Sequence, residues 1–221
     1  MKKLTYIKQR RRKGSALMEF AIVAPFLITL IAGSFSVGMG LNRAVQARQA
    51  VRNANVLMVK DFDLSILDNQ RLIVRTAQGL GMENPTGPAF TPNPAGKASI
   101  ILTKVKHAGA ATCNAGIPAW NQNPSSCPNY DQYIIEQRVI IGNTTRWQSQ
   151  SGTPGVALDS RGFTSAANRA TSAGTRATGF PGFLTLALEE YTFLSEMWVD
   201  TEDLSMFPIV NPVNIYVRNF S

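Results

Sequence analysis

The sequence predicts an α+β protein: a long N-terminal transmembrane helix continuing into a small, mostly antiparallel β-containing head. Three observations carry this. No charged residue falls between Glu19 and Arg43, so residues 20–42 form one apolar stretch. Runs rich in β-branched residues recur at 98–106, 132–142 and 212–220. Between them lie clusters of Pro, Gly, Asn and Ser that favour turns over regular structure.

The chain opens on a basic leader. Lys2, Lys3, Lys8, Arg10, Arg11, Arg12 and Lys13 crowd the first thirteen residues with no acid among them. The whole chain has a formal net charge of +8, and the part beyond Lys13 holds 15 basic against 14 acidic residues. The high basicity is therefore local. A basic tail can bind nucleic acid, but an apolar run follows this one directly, and that context favours a topology signal over a nucleic-acid partner. The 23 uncharged residues 20–42 span about 34 Å as a helix, enough for a hydrocarbon core of about 30 Å. A cleaved secretory signal has a shorter apolar region of roughly 7–15 residues ending in small side chains. This run ends instead in Gly38-Met39-Gly40-Leu41-Asn42-Arg43. Positive charge before the span places the N-terminus in the cytoplasm and everything after residue 42 on the other side.

The junction of leader and span is Arg11-Arg12-Lys13-Gly14-Ser15-Ala16-Leu17-Met18-Glu19-Phe20. A carboxylate within an apolar span costs about 2.5–3.5 kcal/mol at the helix centre, less near an end, and normally requires a partner. Cleavage after Gly14 would turn Ser15 into a new α-amino group, which could neutralise Glu19 on a neighbouring copy or on another subunit staggered by one turn. Taken singly, each feature has a plainer account. Glu19 could snorkel to the interface, Gly14 could simply begin a helix, and Pro25 could be an ordinary kink in a membrane helix.

Together these residues resemble a type IV prepilin processing site. More specifically, they are similar to the start of the TadE-type minor pseudopilins of the tight-adherence (Flp) pilus system, which open with G-x-x-x-[VM]-E-F-A-[LI]-[VI]-x-P. Gly14, Met18, Glu19, Phe20, Ala21, Ile22, Val23 and Pro25 match that pattern. The resemblance covers about the first forty residues and does not extend to the head. It implies a precursor cut between Gly14 and Ser15 by a prepilin peptidase. It also implies that Glu19, Phe20 and Pro25 serve assembly with other pilin or pseudopilin subunits, at an assembly platform in the inner membrane. The expected location is the inner (cytoplasmic) membrane, as a single-pass protein in the lipid bilayer with its C-terminal domain outside, or incorporated in a pilus. The rival reading is an uncleaved signal-anchored envelope protein whose outer domain binds a ligand or partner.

The expected organisation is a leader over 1–14, a transmembrane helix over 15–42, a helical stalk over 43–83 and a head over 84–221, loop-rich at 143–182. Ala44, Ala47, Val51, Ala54 and Met58 recur at helical spacing, with Arg43, Arg48 and Arg52 on other faces. Asp61-Phe62-Asp63 marks a break. A second helical stretch over 64–78 follows, carrying Leu67, Leu72, Ile73 and Val74 and punctuated by Gly79 and Gly81. Prolines at 85, 88, 92 and 94 make a linker or surface loop. A fourth strand is expected over 186–199, although its Ala-Leu-Glu-Glu start also suits a helix. Residues 149–181, rich in Gly, Ser, Thr and Ala, predict a loop with little core.

Motifs for chemistry are scarce. The sequence holds no phosphate-binding glycine loop, no H-E-x-x-H and no G-x-S-x-G. No catalytic, cofactor-binding or metal-binding residue is assigned, and an enzyme is not expected. His107 is the one histidine and is expected at the surface where a strand ends. Cys113 and Cys127 lie in a loop between two predicted strands; outside the membrane a disulfide is the simplest outcome, with free thiols or a metal site as alternatives. Glu189, Glu190, Glu196, Asp200, Glu202 and Asp203 are expected to form a solvated acidic face, lacking the ligand spacing of a calcium loop. Asp63-Leu64-Ser65 lacks the second serine of an acid-x-Ser-x-Ser metal motif. Asn143-Thr144-Thr145 fits a glycosylation triplet. Trp147, Tyr191, Phe193 and Trp198 suit either a core or a subunit interface.

Overall fold

The computed structural model describes residues 12–84, 96–143, 148–179, 184–201 and 214–221. The leader before residue 12, the proline-rich stretch after Asn84, Trp147, Glu202, Asp203 and the start of the last expected strand lie outside the described residues.

Helix α1 runs from Arg12 to Val59 and contains Pro25. Proline has no N–H to give the Ala21 carbonyl, yet the helix continues through it. Two hydroxyls within the apolar stretch turn inward on the helix itself: Thr29 Oγ1 donates to the Pro25 carbonyl and Ser34 Oγ to the Leu30 carbonyl, each at 2.8 Å. Such back-bonding satisfies these two hydroxyls without water. The helix ends where the doublet of aspartates predicted a break. Asp61 takes a left-handed φ of 57°, its N–H bonds the Met58 carbonyl at 3.0 Å, and the Phe62 N–H bonds the Leu57 carbonyl at 3.1 Å. This is the paired closure of a Schellman motif with aspartate where glycine is usual.

Helix α2, Leu67–Ala77, follows a short turn. Asp63 Oδ1 accepts from the Ser65 N–H at 2.9 Å and from the Ser65 hydroxyl at 2.6 Å, shaping that turn. Those two hydrogen bonds, with Arg161 nearby, hold the Asp63 carboxyl below the usual carboxylate range against slight desolvation. One 3-10 turn closes α2 at Gly81, whose φ of 76° suits glycine.

Four strands form one antiparallel sheet: β1 (Ala98–His107), β2 (Tyr133–Gly142), β3 (Tyr191–Val199) and β4 (Ile215–Phe220), in the order β2-β1-β3-β4. The strand expected over 186–199 begins only at Tyr191, because Leu188 and Glu189 make a turn in which Glu189 has a φ of 68°.

Ala47, Ala50, Val51, Ala54 and Met58 of α1 and Ile73, Val74 and Ala77 of α2 pack on Ala98, Ile100, Leu102, Val139, Ile141, Met197 and Val199. The alanines let the helix backbone approach the sheet closely. Asn55 Nδ2 donates to Ser221 Oγ at 2.8 Å, and Ser221 pairs with Phe193. The end of α1 therefore lies where β3 begins and β4 ends, and its earlier turns lie toward Ala98, Val199 and Ile215.

The opposite face of the sheet corrects one expectation. Residues 149–181 were expected to hold little core, yet Ser151, Thr164, Ala170 and Thr175 are buried. The segment docks along β2: Arg138 N–H bonds the Gly162 carbonyl at 2.8 Å, Thr164 N–H the Glu136 carbonyl at 2.9 Å, and Ala177 N–H the Tyr133 carbonyl at 2.8 Å. It also carries α3's neighbour: α3 (Ala110–Gly116) packs on α4 (Ala166–Thr171). Low apolar content misled because the segment is held by backbone hydrogen bonds to a sheet edge. A shift in register between Lys104 and Val105 turns Ile135 to this face. There it joins Val105, Ala177 and Leu186 in a second small core.

Candidate functional site

The residues singled out at the N-terminus fall on one continuous helix. Gly14 and Ser15 lie in its first turns. Glu19, Phe20 and Pro25 follow on the same rod, at about 7.5, 9 and 16 Å of axial rise beyond Gly14. Ser15 to Glu19 is one helical turn, so a subunit displaced by a single turn brings an amine at position 15 level with a neighbour's carboxylate. Leu17, Met18, Phe20, Ile22, Val23, Phe26, Leu27, Ile28, Leu30 and Ile31 are all exposed, Phe26 to 73%. In water such a surface would be untenable, at about 25 cal/mol for each Å² of apolar area. Residues 16–59 contain one helical stretch long and apolar enough to cross a membrane, and none of its apolar window is buried within the chain. Small residues line one groove of that stretch, where Thr29, Gly33, Ser34 and Gly38 alternate with Leu30, Val37 and Leu41.

The head holds the other sites read from the sequence. Cys113 and Cys127 are joined by a disulfide with a Cα–Cα distance of 6.0 Å. It is packed with Ala170, Trp120 and Tyr130, so it ties the lobe after β1 to α4. Among the described residues no three acids, histidines or cysteines converge on a metal position. Asn143 is buried, and its amide donates to the Gly96 carbonyl at 3.0 Å, which withdraws it from a surface role.

Among the described residues the acids do not share one solvated face: Glu190 is exposed, but Glu196 and Asp200 are buried. Glu196 is 0% exposed. It accepts from the Ser149 hydroxyl, from the Gln150 N–H at 3.1 Å and from the Tyr216 hydroxyl at 2.7 Å. Nearby Arg138, 1% exposed, donates to Thr103 Oγ1 at 3.1 Å, to Ser149 Oγ at 3.2 Å and to the Gly152 carbonyl. Burial pushes Arg138 down to about 10, with Glu196 opposing the fall. Burial and the bond to Glu196 push the Tyr216 phenol up. Asp200 is also buried. Glu189 caps α3 from a distance, accepting from the Gly109 N–H at 2.9 Å, the Thr112 N–H at 2.8 Å and the Thr112 hydroxyl at 2.9 Å. Desolvation favours its protonated form, but Lys106 and Thr112 outweigh it and hold the carboxyl low.

His107 is at the strand end, as expected, but is not a surface side chain: it is 12% exposed. Its ring stacks on Tyr133 at 4.7 Å, with Nδ1 2.9 Å from the Leu186 carbonyl and Nε2 3.0 Å from Asp131. Among the described residues no serine, threonine or cysteine hydrogen-bonds the ring. The aromatic set divides by position. Phe193 packs against the core, Trp198 lies 4.4 Å from Tyr216, and Tyr191 is half-exposed beneath the Lys104 ammonium.

What the fold defines is a β head fixed to the end of a long helix whose apolar stretch is unburied among the described residues. The first part of that arrangement is similar to a known family: residues 14–54 match the model of the TadE-like proteins. The match begins at Gly14, includes Glu19, Phe20 and Pro25, and ends where α1 is packed on the head. No curated protein and no solved structure matches the chain.

Proposed function

We propose that this chain is a minor pseudopilin in the assembly of a tight-adherence (Flp-type) pilus or a related secretion system. The observation that supports it best is the coincidence of the TadE-like segment with an apolar helix whose sides are all uncovered. The chain is made as a precursor, its basic leader in the cytoplasm. A prepilin peptidase cuts it after Gly14. The span holds the mature subunit in the inner membrane, head outward, until an assembly platform extracts it. Glu19 sets the register between subunits by pairing with the new amine of Ser15, and the apolar flank around Phe20 and Pro25 exchanges lipid for neighbouring helices. The role is structural, with no reaction of its own.

Intact-mass measurement of the membrane-purified protein tests this reading. A mature chain starting at Ser15, and retention of the leader in cells lacking the peptidase, is the expected pair of results. A chain that keeps residues 1–14 in cells with an active peptidase overturns it and leaves an uncleaved anchor with a partner-binding head.

A further inference from the structure

From Phe20 to Lys60 the sequence contains four cations, Arg43, Arg48, Arg52 and Lys60, and no acid. Three of them follow the span within ten residues, on the side where a membrane protein ordinarily avoids Lys and Arg. Arg48 and Arg52 are exposed, while Ala47, Ala50, Val51 and Ala54 beside them are buried against the sheet. The two arginines are therefore on the flank turned away from the head. Counted from Asn42, Arg43, Arg48 and Arg52 stand about 1.5, 9 and 15 Å along the helix axis. A headgroup layer extends about 5–7 Å beyond the hydrocarbon on each side. Helical side chains lean toward the helix N-terminus, and here the N-terminus is in the membrane, so each arginine leans back toward the lipid surface. Ala47 is already packed on the sheet, so the head begins within about 8 Å of the span. That leaves Arg48 and Arg52 exposed next to the span, on the flank that the head does not cover.

We propose that Arg48 and Arg52 form a contact surface for the headgroups of anionic phospholipids in the outer leaflet of the membrane. The contact sets the depth of the span and the lean of the head before extraction. It rests on the membrane-spanning reading above and adds a partner to it. The charges match, the guanidinium fork suits phosphate oxygens, and the surface is continuous with the span.

The full chain, reconstituted in phosphatidylcholine vesicles containing phosphatidylglycerol, is probed with spin-labelled lipids placed in the head-side leaflet. The electron spin resonance of lipid held at the protein gives the preference for phosphatidylglycerol over phosphatidylcholine. The expected result is a preference that drops in Arg48→Gln/Arg52→Gln, by about fivefold for each arginine that reaches the headgroups, and that weakens in high salt. Arg71→Gln, an exposed arginine paired with Asp68 on α2, is expected to leave it unchanged. Equal preference in the wild type and the double variant overturns the proposal while leaving the span intact. Failure of the chain to float with vesicles of either composition overturns the span and the proposal with it. Far-ultraviolet circular dichroism of each variant confirms that the helix and sheet are retained.

Discussion

Replacing Glu196 with alanine should be the most damaging single change in the head outside its apolar core. The carboxylate is fully buried and receives three hydrogen bonds, from Ser149, Gln150 and Tyr216. Its removal leaves Arg138 as a buried cation with no counter-charge. Burial already pulls Arg138 well below the usual guanidinium range, to about 10, with Glu196 present, a bias against the charged form. Loss of the opposing charge adds to that bias and orphans the Tyr216 hydroxyl, so about 3–5 kcal/mol of stability should be lost, as for other broken buried pairs. For a chain of this size that lowers the melting temperature by on the order of 10 °C. Differential scanning of the detergent-solubilised protein, followed by near-ultraviolet circular dichroism, measures it. The double variant Arg138→Met/Glu196→Leu should lose less than Glu196→Ala alone, because it removes both charges. A Glu196→Ala protein that melts within about 1 °C of wild type, or a double variant worse than the single one, refutes the electrostatic account.

The Glu189 cap gives a pH dependence. Its folded carboxyl titrates below the unfolded value, so its contribution is present above about pH 4.3 and is lost as pH falls through the lower folded value. Glu189→Gln should remove that acid limb, cost about 1 kcal/mol at neutral pH, and speed amide exchange at Gly109 and Thr112; unchanged exchange there counts against the cap. Reduction of the Cys113–Cys127 disulfide should lower stability by about 3 kcal/mol in the chain-entropy model. Its effect should be greatest on α3 and α4, as read by hydrogen exchange, and uniform loosening of the sheet would contradict this. Glu19→Leu should still insert in the membrane but fail to enter fibres in cells, since on the proposed function it removes the charge that pairs with the Ser15 amine. Normal fibre incorporation of that variant, scored by immunoblotting sheared pili, would show that the pairing is not needed.

Periodicity exposed the helices well. The spacing of Ala47, Val51, Ala54 and Met58 marked the face that packs on the sheet, and the Asp61–Asp63 break is where α1 ends. The strand runs at 98–106 and 132–142 differ from β1 and β2 by a residue at one end, because β-branched side chains on a half-buried surface leave a local signal. Residues 149–181 left none: their order comes from backbone bonds to β2, which composition does not encode. Glu196 was misjudged, and Arg138 passed over, for a related reason. Each is a charged residue inside a strand rich in apolar side chains, but their proximity depends on β1 lying between β2 and β3. That pairing brings together residues 58 positions apart in sequence. The N-terminal residues singled out for processing and assembly are local in sequence and lie on one helix.

Because α1 has no break between Arg12 and Val59, and its last turns are cemented to β3 and β4, the span and the head move as one piece. Any screw motion imposed on the N-terminal half of the helix must reappear at the sheet with the same rotation and the same advance. One full turn of helix corresponds to about 5.4 Å. On the proposed function, a device that grips the apolar end would thereby steer the sheet through a rigid crank, without contacting it.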